Sequence, residues 1–240
     1  MIINTRPKNL SQNINALCTK EKIDLTNLHL SKITPVSSKE VIESWRINLE
    51  SLQSYSNIIF TSQASASYGL EILKTKIDLK KIQSNIFSIG LATKKIIEDK
   101  GMSSILPNQP SSEFLAKLIL EEYPGRNLLF CGTNSNRTLQ KILKNNIDEI
   151  ACYDLIYSDF EVASVNQGPK IVLIYNYLTF SFIHKAIDSK TLLEKRFIVS
   201  SQRIKDKIGR NFGNEVLDMN IDVAESPSDE SMLKKAKEFI

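Results

Sequence analysis

Cysteine and histidine are scarce in this 240-residue chain: Cys18, Cys131 and Cys152, with His29 and His184, and no C-x-x-C or H-x-x-x-H spacing among them. That excludes a disulfide framework and gives no support to a zinc site, so no metal is expected. Long hydrophobic runs are also missing. The longest, such as Ile171 to Tyr175, are strand-sized and fall short of the ~20 residues that span a bilayer, so no membrane partner is expected. The start, Met1-Ile2-Ile3-Asn4-Thr5-Arg6, has neither the basic flank nor the apolar stretch of a signal peptide, and a cytoplasmic location is expected. Neither G-x-G-x-x-G nor G-x-x-x-x-G-K-S/T occurs at any strand-to-helix junction, which argues against dinucleotide and P-loop chemistry. Gly132-Thr133-Asn134-Ser135 has a phosphate-loop look but lacks the Lys-Ser/Thr pair. There is no G-x-S-x-G elbow, and neither histidine has a nucleophile the sequence can assign to it, so both are read as structural.

The charge is modest, 31 Lys and Arg against 27 Asp and Glu, a formal net of +4. The lysines are spread along the chain rather than gathered in a block, which argues against a nucleic-acid surface and suits a polyanionic small molecule. With 42% hydrophobic residues, the chain can bury one large core or two modest ones.

Short β-rich runs alternate with amphipathic stretches of helical length, the pattern of parallel-sheet α/β domains. Strands are expected at 1–4, 25–30, 57–61, 85–89, 104–106, 127–131, 149–153, 171–175, 196–200 and 218–223. Two stretches repeat the same order of elements. In the first, Ile58-Ile59-Phe60-Thr61-Ser62 opens a helix, Phe87-Ser88-Ile89-Gly90 opens another, and Pro110-Ser111-Ser112-Glu113 caps a third. In the second, Val172-Leu173-Ile174-Tyr175-Asn176, Phe197-Ile198-Val199-Ser200 and Pro227-Ser228-Asp229-Glu230 follow in the same order. Strand-helix-strand units at 1–30 and 127–153 remain to complete two sheets. The economical reading is two similar flavodoxin-like parallel-sheet domains, one inserted into the other: 1–35 with 160–240 outside, 36–159 inside. Two linkers would cross between them, near 31–39 and 154–169, both enriched in Ser, Pro, Asn or Gly. Two consecutive domains cut near Pro124-Gly125 would divide the strands unequally.

Parallel sheets bind ligands beyond the carboxyl ends of their strands, where helix N-termini present unpaired N–H groups. The turns there are Thr5-Arg6-Pro7, Thr61-Ser62-Gln63, Gly90-Leu91-Ala92-Thr93, Gly132 to Arg137, Tyr175-Asn176-Tyr177 and Ser200-Ser201-Gln202-Arg203. Any one such turn can be no more than a helix cap. Three of the seven arginines, Arg6, Arg137 and Arg203, nevertheless fall in them, where a guanidinium fork could meet carboxylates.

At these turns the sequence resembles the uroporphyrinogen-III synthase family. The resemblance rests on the opening Asn4-Thr5-Arg6-Pro7, on Ile59-Phe60-Thr61-Ser62, and on Ser88-Ile89-Gly90-Leu91-Ala92-Thr93 with Gly101 beyond. It continues through Leu128-Leu129-Phe130-Cys131-Gly132 with Arg137 and Leu139, then Ile156-Tyr157, then Pro227-Ser228, and so spans essentially the whole chain. It implies a nested two-domain fold and a lyase that converts hydroxymethylbilane to uroporphyrinogen III in haem biosynthesis. The terminal hydroxyl leaves, the last ring attacks through a spiro intermediate, and that ring ends inverted. No metal or organic cofactor takes part, and the expected state is a monomer. Tyr157 matches the tyrosine proposed to help the hydroxyl depart. Thr61, Ser62, Gly90 and Thr93 match positions that line the substrate cleft, and Arg6 and Arg137 match recurrent family arginines. Ser200, at the turn after its strand, joins them as a substrate-binding candidate. The chain departs from the family at Tyr175-Asn176, where a Thr-Ser turn is usual, and at Ser200 to Arg203, where Gly-Pro-x-Thr is usual. The alternative is a non-catalytic bilobal protein that binds a small anion; a receiver-type pair lacks its acidic cluster and spaced lysine.

Overall fold

The structure, a computed structural model, describes residues 1–157, 165 and 170–240. In chain order its main elements are β1 (Ile2–Asn4), α1 (Gln12–Glu21), β2 (Leu25–Asn27), β3 (Ser31–Pro35), α2 (Lys39–Glu50), β4 (Asn57–Phe60), α3 (Gln63–Lys74), β5 (Asn85–Ser88), α4 (Leu91–Glu98) and α5 (Ser112–Glu122). There follow β6 (Asn127–Gly132), α6 (Thr138–Leu143), β7 (Ile147–Tyr157), β8 (Ile171–Ile174), α7 (Tyr177–Ala186), α8 (Ser189–Leu193), β9 (Arg196–Val199), α9 (Gln202–Phe212), β10 (Asn220–Val223) and α10 (Asp229–Lys237). They fall into two compact units, Met1–Lys32 with Ile156–Ile240, and Ile33–Leu155.

The first unit holds a five-stranded sheet in the order β10-β9-β8-β1-β2, in which every neighbouring pair is parallel. β8 is a run of four apolar residues, all buried, as expected of a strand covered on both faces. Its side chains alternate between two cores. Val172 and Ile174 pack with Ile3, Phe180, Ile183, Phe197 and Ile208, while Ile171 and Leu173 pack with Ile2, Ile14, Cys18, Met232 and Leu233. Helices α7 and α9 therefore cover one face, and α1 and α10 the other.

The second unit holds the order β3-β7-β6-β4-β5, parallel from β7 through β5. Ile58, Phe60, Leu128 and Phe130 face α3 through Leu70 and Leu73. Ile59, Phe87 and Leu129 face α5 through Leu115 and Ile119. β4 and β6 pair directly, Asn57 beside Asn127 and Phe60 beside Phe130, so a cut at Pro124-Gly125 would separate partner strands.

The two sheets repeat one plan. β9, β8, β1 and β2 of the first correspond in order to β5, β4, β6 and β7 of the second, and β10 corresponds to an isolated parallel bridge between Phe87 and Ile105. That bridge corrects the strand expected at 104–106. Ile105 does bond Ile86 and Ser88 through its backbone, but Ser104 spends its hydroxyl on Ser88 at 2.8 Å and Pro107 has no N–H with which to extend a ladder. Conversely, the expected linker at 31–39 contributes β3, which lies beside β7 at the sheet edge. The linker end and domain boundary expected near 159–160 lie outside the described residues.

Candidate functional site

Both sheets end, at their carboxyl edges, in turns that cap the following helices. In the second unit β4 runs into Thr61 and Ser62. Ser62 Oγ accepts from Ser65 N at 3.0 Å, and Ser65 Oγ accepts from Ser62 N at 2.9 Å, a reciprocal cap that fixes the start of α3. Ser62 Oγ also lies 3.2 Å from the hydroxyl of Tyr153. Thr61 donates to the Phe130 carbonyl at 3.4 Å, a long contact. The next turn is barer. Gly90 caps α4 with no side chain, and a Cβ placed on it would meet nothing within 4 Å. The absence of a side chain there thus leaves the first N–H groups of the helix approachable. Thr93, one turn in, is only 5% exposed.

Gly132 ends β6 against the ring of Tyr153, which a Cβ would approach to 2.8 Å; only glycine lets the strand and that ring come so close. Arg137 follows with a positive φ of 56° and turns to Glu149, pairing at 3.0 Å. Glu149 also accepts from Gln140 at 2.7 Å. Arg137, Gln140, Lys144 and Glu149 line a shallow polar hollow with Ser44 and Asn48 of α2. Among the described residues, no hydrogen bond or ion pair joins Arg137 to Thr61, Ser62, Gly90 or Thr93.

In the first unit the three candidates Arg6, Ser200 and Tyr157 gather around one turn, Tyr175-Asn176, at the end of β8. Arg6 lays its guanidinium over the Tyr175 ring, 3.9 Å from the centroid. Its Nη2 donates to the Pro227 carbonyl at 3.2 Å, and its Nε lies 3.1 Å from Asp229 Oδ1, outside the hydrogen-bonding direction. The Tyr175 hydroxyl donates to the same Asp229 oxygen at 2.8 Å. Burial, then the Asp229 charge, pushes that phenol's pKa well above its ordinary value. Ser200, buried, donates to the Tyr175 carbonyl at 3.2 Å.

Tyr157 reaches the next residue. Its hydroxyl donates to Asn176 Oδ1 at 3.1 Å and lies 3.1 Å from Thr179 Oγ1. Its ring packs on Phe182, centroids 5.1 Å apart. Burial raises the Tyr157 pKa, and the Thr179 hydrogen bond opposes the rise. A proton is therefore present on this phenol at neutral pH. Ser62 with Tyr153 and Asn176 with Tyr157 are alike in form, each a helix cap after β4 or its counterpart β8 that meets a tyrosine hydroxyl, although both tyrosines come from β7. Asn176 and Thr179, and likewise Tyr175 and Asp229, are not site residues in the reading of the sequence, which names Tyr175-Asn176 only as a strand-end turn. The Asn176-x-x-Thr179 spacing opening a helix was the available signal for the first two.

The thiols offer no nucleophile. Burial raises Cys131 to about 11 and Cys152 to about 12. His184 packs 4.1 Å from Phe212, centroid to centroid, and burial lowers its pKa. Among the described residues no three His, Cys, Asp or Glu side chains cluster so as to hold a metal, and no helix is long and apolar enough to cross a membrane.

Two solved structures share the architecture. A uroporphyrinogen-III synthetase from Helicobacter pylori aligns over 100% of this chain and 99% of its own, with a TM-score of 0.67 at 14% identity. A mutant uroporphyrinogen III synthase from the extremely thermophilic bacterium Thermus thermophilus aligns over 99% and 98%, with a TM-score of 0.65 at 13% identity. With identity this low, the superposition establishes a common fold and nothing more. No curated protein matches significantly in sequence. The sequence model of the family described as uroporphyrinogen-III synthase HemD matches residues 14–233, nearly the whole chain and both repeats, and on that ground the chain belongs to the uroporphyrinogen-III synthase family.

Proposed function

We propose that the chain is a working uroporphyrinogen-III synthase that acts on hydroxymethylbilane, with Tyr157 as its acid. The observation that carries the activity is the family match over residues 14–233. In the reaction the C–O bond of the terminal hydroxymethyl group breaks and the phenol proton of Tyr157 passes to the departing oxygen, so that water leaves. The adjacent pyrrole nitrogen supplies the electron pair that the vacated carbon needs, giving a cationic azafulvene. The last ring attacks through a spiro intermediate and closes in the inverted sense. The proton released on closure returns to the phenolate. A neutral phenol suits this role because a carboxylate would already be ionised at neutral pH. The rest of the work is positioning a flexible octacarboxylate.

For that positioning the open start of α4 at Gly90 and the hydroxyls of Thr61 and Ser62 supply donors, and Arg137 supplies a cation whose exposed pair with Glu149 can be exchanged for a substrate carboxylate. Arg6, Ser200 and Thr93 shape the turns: the first two are engaged within their own unit and the third is buried. The domains are assigned as 1–35 with 160–240 and 36–159; the compact units divide instead after Lys32 and Leu155, which groups Tyr157 with the outer one. A cytoplasmic monomer with no nucleic-acid partner is the state we assign, in keeping with the dispersed lysines. Formation of isomer III from hydroxymethylbilane tests the activity.

A further inference from the structure

The Tyr157 hydroxyl is one of three groups that meet at the start of α7, and the hydrogen-bond directions there are fixed by elimination. Thr179 N donates to Asn176 Oδ1 at 2.9 Å, which identifies that atom of the side chain as the amide carbonyl oxygen, an acceptor only. The phenol has one proton, and at 3.1 Å it is given to the same oxygen. The remaining contact, Thr179 Oγ1 to the phenol oxygen at 3.1 Å, must then run from threonine to tyrosine. A threonine in the first turn of a helix ordinarily turns its hydroxyl to solvent or to a backbone carbonyl. Here the side chain is 1% exposed, and among the described residues its hydroxyl has no hydrogen-bond partner but Tyr157.

We infer that Thr179 is a positioning residue for the reaction: it donates to the Tyr157 oxygen and holds the phenol while its proton swings from Asn176 to the departing hydroxyl. The inference rests on the reading of Tyr157 as the acid. As the phenol releases its proton, negative charge grows on the oxygen of a half-buried side chain. A fixed donor aimed at that oxygen gains strength in step with the charge. Asn176 is the resting acceptor, giving way when a better-placed oxygen arrives. Thr179 does not touch the substrate in this account, so its removal acts on the rate and not on affinity.

The test uses the full-length protein and three variants, Thr179→Val, Thr179→Ser and Tyr157→Phe. Valine keeps the shape and removes the donor; serine keeps the donor. Steady-state kinetics with hydroxymethylbilane are combined with the 13Cζ resonance of Tyr157 at neutral pH, assigned by its disappearance in Tyr157→Phe. Expected are a fall in kcat of about tenfold in Thr179→Val, the loss of one hydrogen bond made stronger in the transition state, with KM within twofold. The Tyr157 resonance should move in Thr179→Val, and both changes should be reversed in Thr179→Ser. An unmoved resonance overturns the inference, as does a Thr179→Val rate within twofold of wild type while Tyr157→Phe is impaired. Should Tyr157→Phe itself retain its rate, the acid reading fails and the catalytic role of Thr179 with it. The resonance reports that case separately, because it senses the hydrogen bond and not the chemistry.

Discussion

Asp229, the first residue of α10, is held by Arg6 from the turn after β1: Nε and Oδ1 lie 3.1 Å apart, with the side chains 15% and 6% exposed. The carboxylate sits at a helix N-terminus, where negative charge is favoured, and the guanidinium is stacked on Tyr175. Truncating Arg6 leaves a nearly buried carboxylate without its counter-ion. Arg6→Ala should lower stability by ~2 to 4 kcal/mol in urea denaturation, and Arg6→Lys should recover little of it, since an ammonium cannot stack as a planar fork does. The exposed pair Arg137 and Glu149, 58% and 37% exposed, sets the contrast: Arg137→Ala should cost less than ~1 kcal/mol. Equal losses for the two arginines would contradict the distinction.

Stability should fall in alkali, and the sign follows from the buried phenols. Burial, followed by the hydrogen bond from Tyr55 to Asp148, pushes Tyr55 up to about 12, and burial, then Asp229, raises Tyr175 as well. Unfolded, both titrate near ~10. Below that pH the stabilisation is complete. Above it the unfolded chain gives up protons that the folded chain keeps, so stability drops until the folded values are passed. Tyr175→Phe should therefore flatten the fall measured between pH 10 and 11, by up to ~1.4 kcal/mol per pH unit. Identical slopes for variant and wild type would sink the argument.

Substrate affinity should be spread over many weak donors. Thr61 makes one long contact within its unit and Arg137 an exposed one, so neither is committed to the fold. Each donor contributes ~0.5 to 3 kcal/mol. Product binding by calorimetry should weaken by at most about a hundredfold, ~2.7 kcal/mol, in Thr61→Ala or Arg137→Ala. Complete loss in either, with the circular dichroism spectrum unchanged, would show that one contact dominates.

Tyr157 and Tyr153 form a natural pair of test and control. Both phenols are raised by burial and both bond a helix cap, Tyr157 through Asn176 and Tyr153 through Ser62. Tyr157→Phe should retain product affinity while kcat falls by ~10²- to 10⁴-fold, the range of general acid catalysis. Tyr153→Phe should cost far less. A Tyr157→Phe enzyme within about fivefold of wild type would reduce the residue to packing.

The strands covered on both faces were legible from sequence because Ile58-Ile59-Phe60 and Ile171 to Ile174 are unbroken apolar runs between turn residues, a pattern that burial on two faces imposes. β3 was not, because Ser31-Lys32-Ile33-Thr34-Pro35 has the composition of a linker; an edge strand needs only one paired side and tolerates a terminal proline. Ser104 to Leu106 erred the other way, since an apolar pair beside a serine contains no sign that a single bridge is all the backbone will make. At the site, the turns were legible because Ser, Asn and Gly mark helix starts. What each charge would meet was not. The neutralisation of Arg6 by Asp229, and the approach of Thr179 to Tyr157, join residues remote in sequence through the packing of whole elements.

The most direct measurement of the central claim is the isomer composition of the product. The purified chain is incubated with hydroxymethylbilane, the product is oxidised, and isomers I and III are separated by chromatography, beside a sample without protein. A uroporphyrinogen-III synthase must yield predominantly isomer III, the ring-inverted product, at a rate proportional to protein concentration. Isomer I alone, at the rate of the protein-free sample, would contradict the assignment.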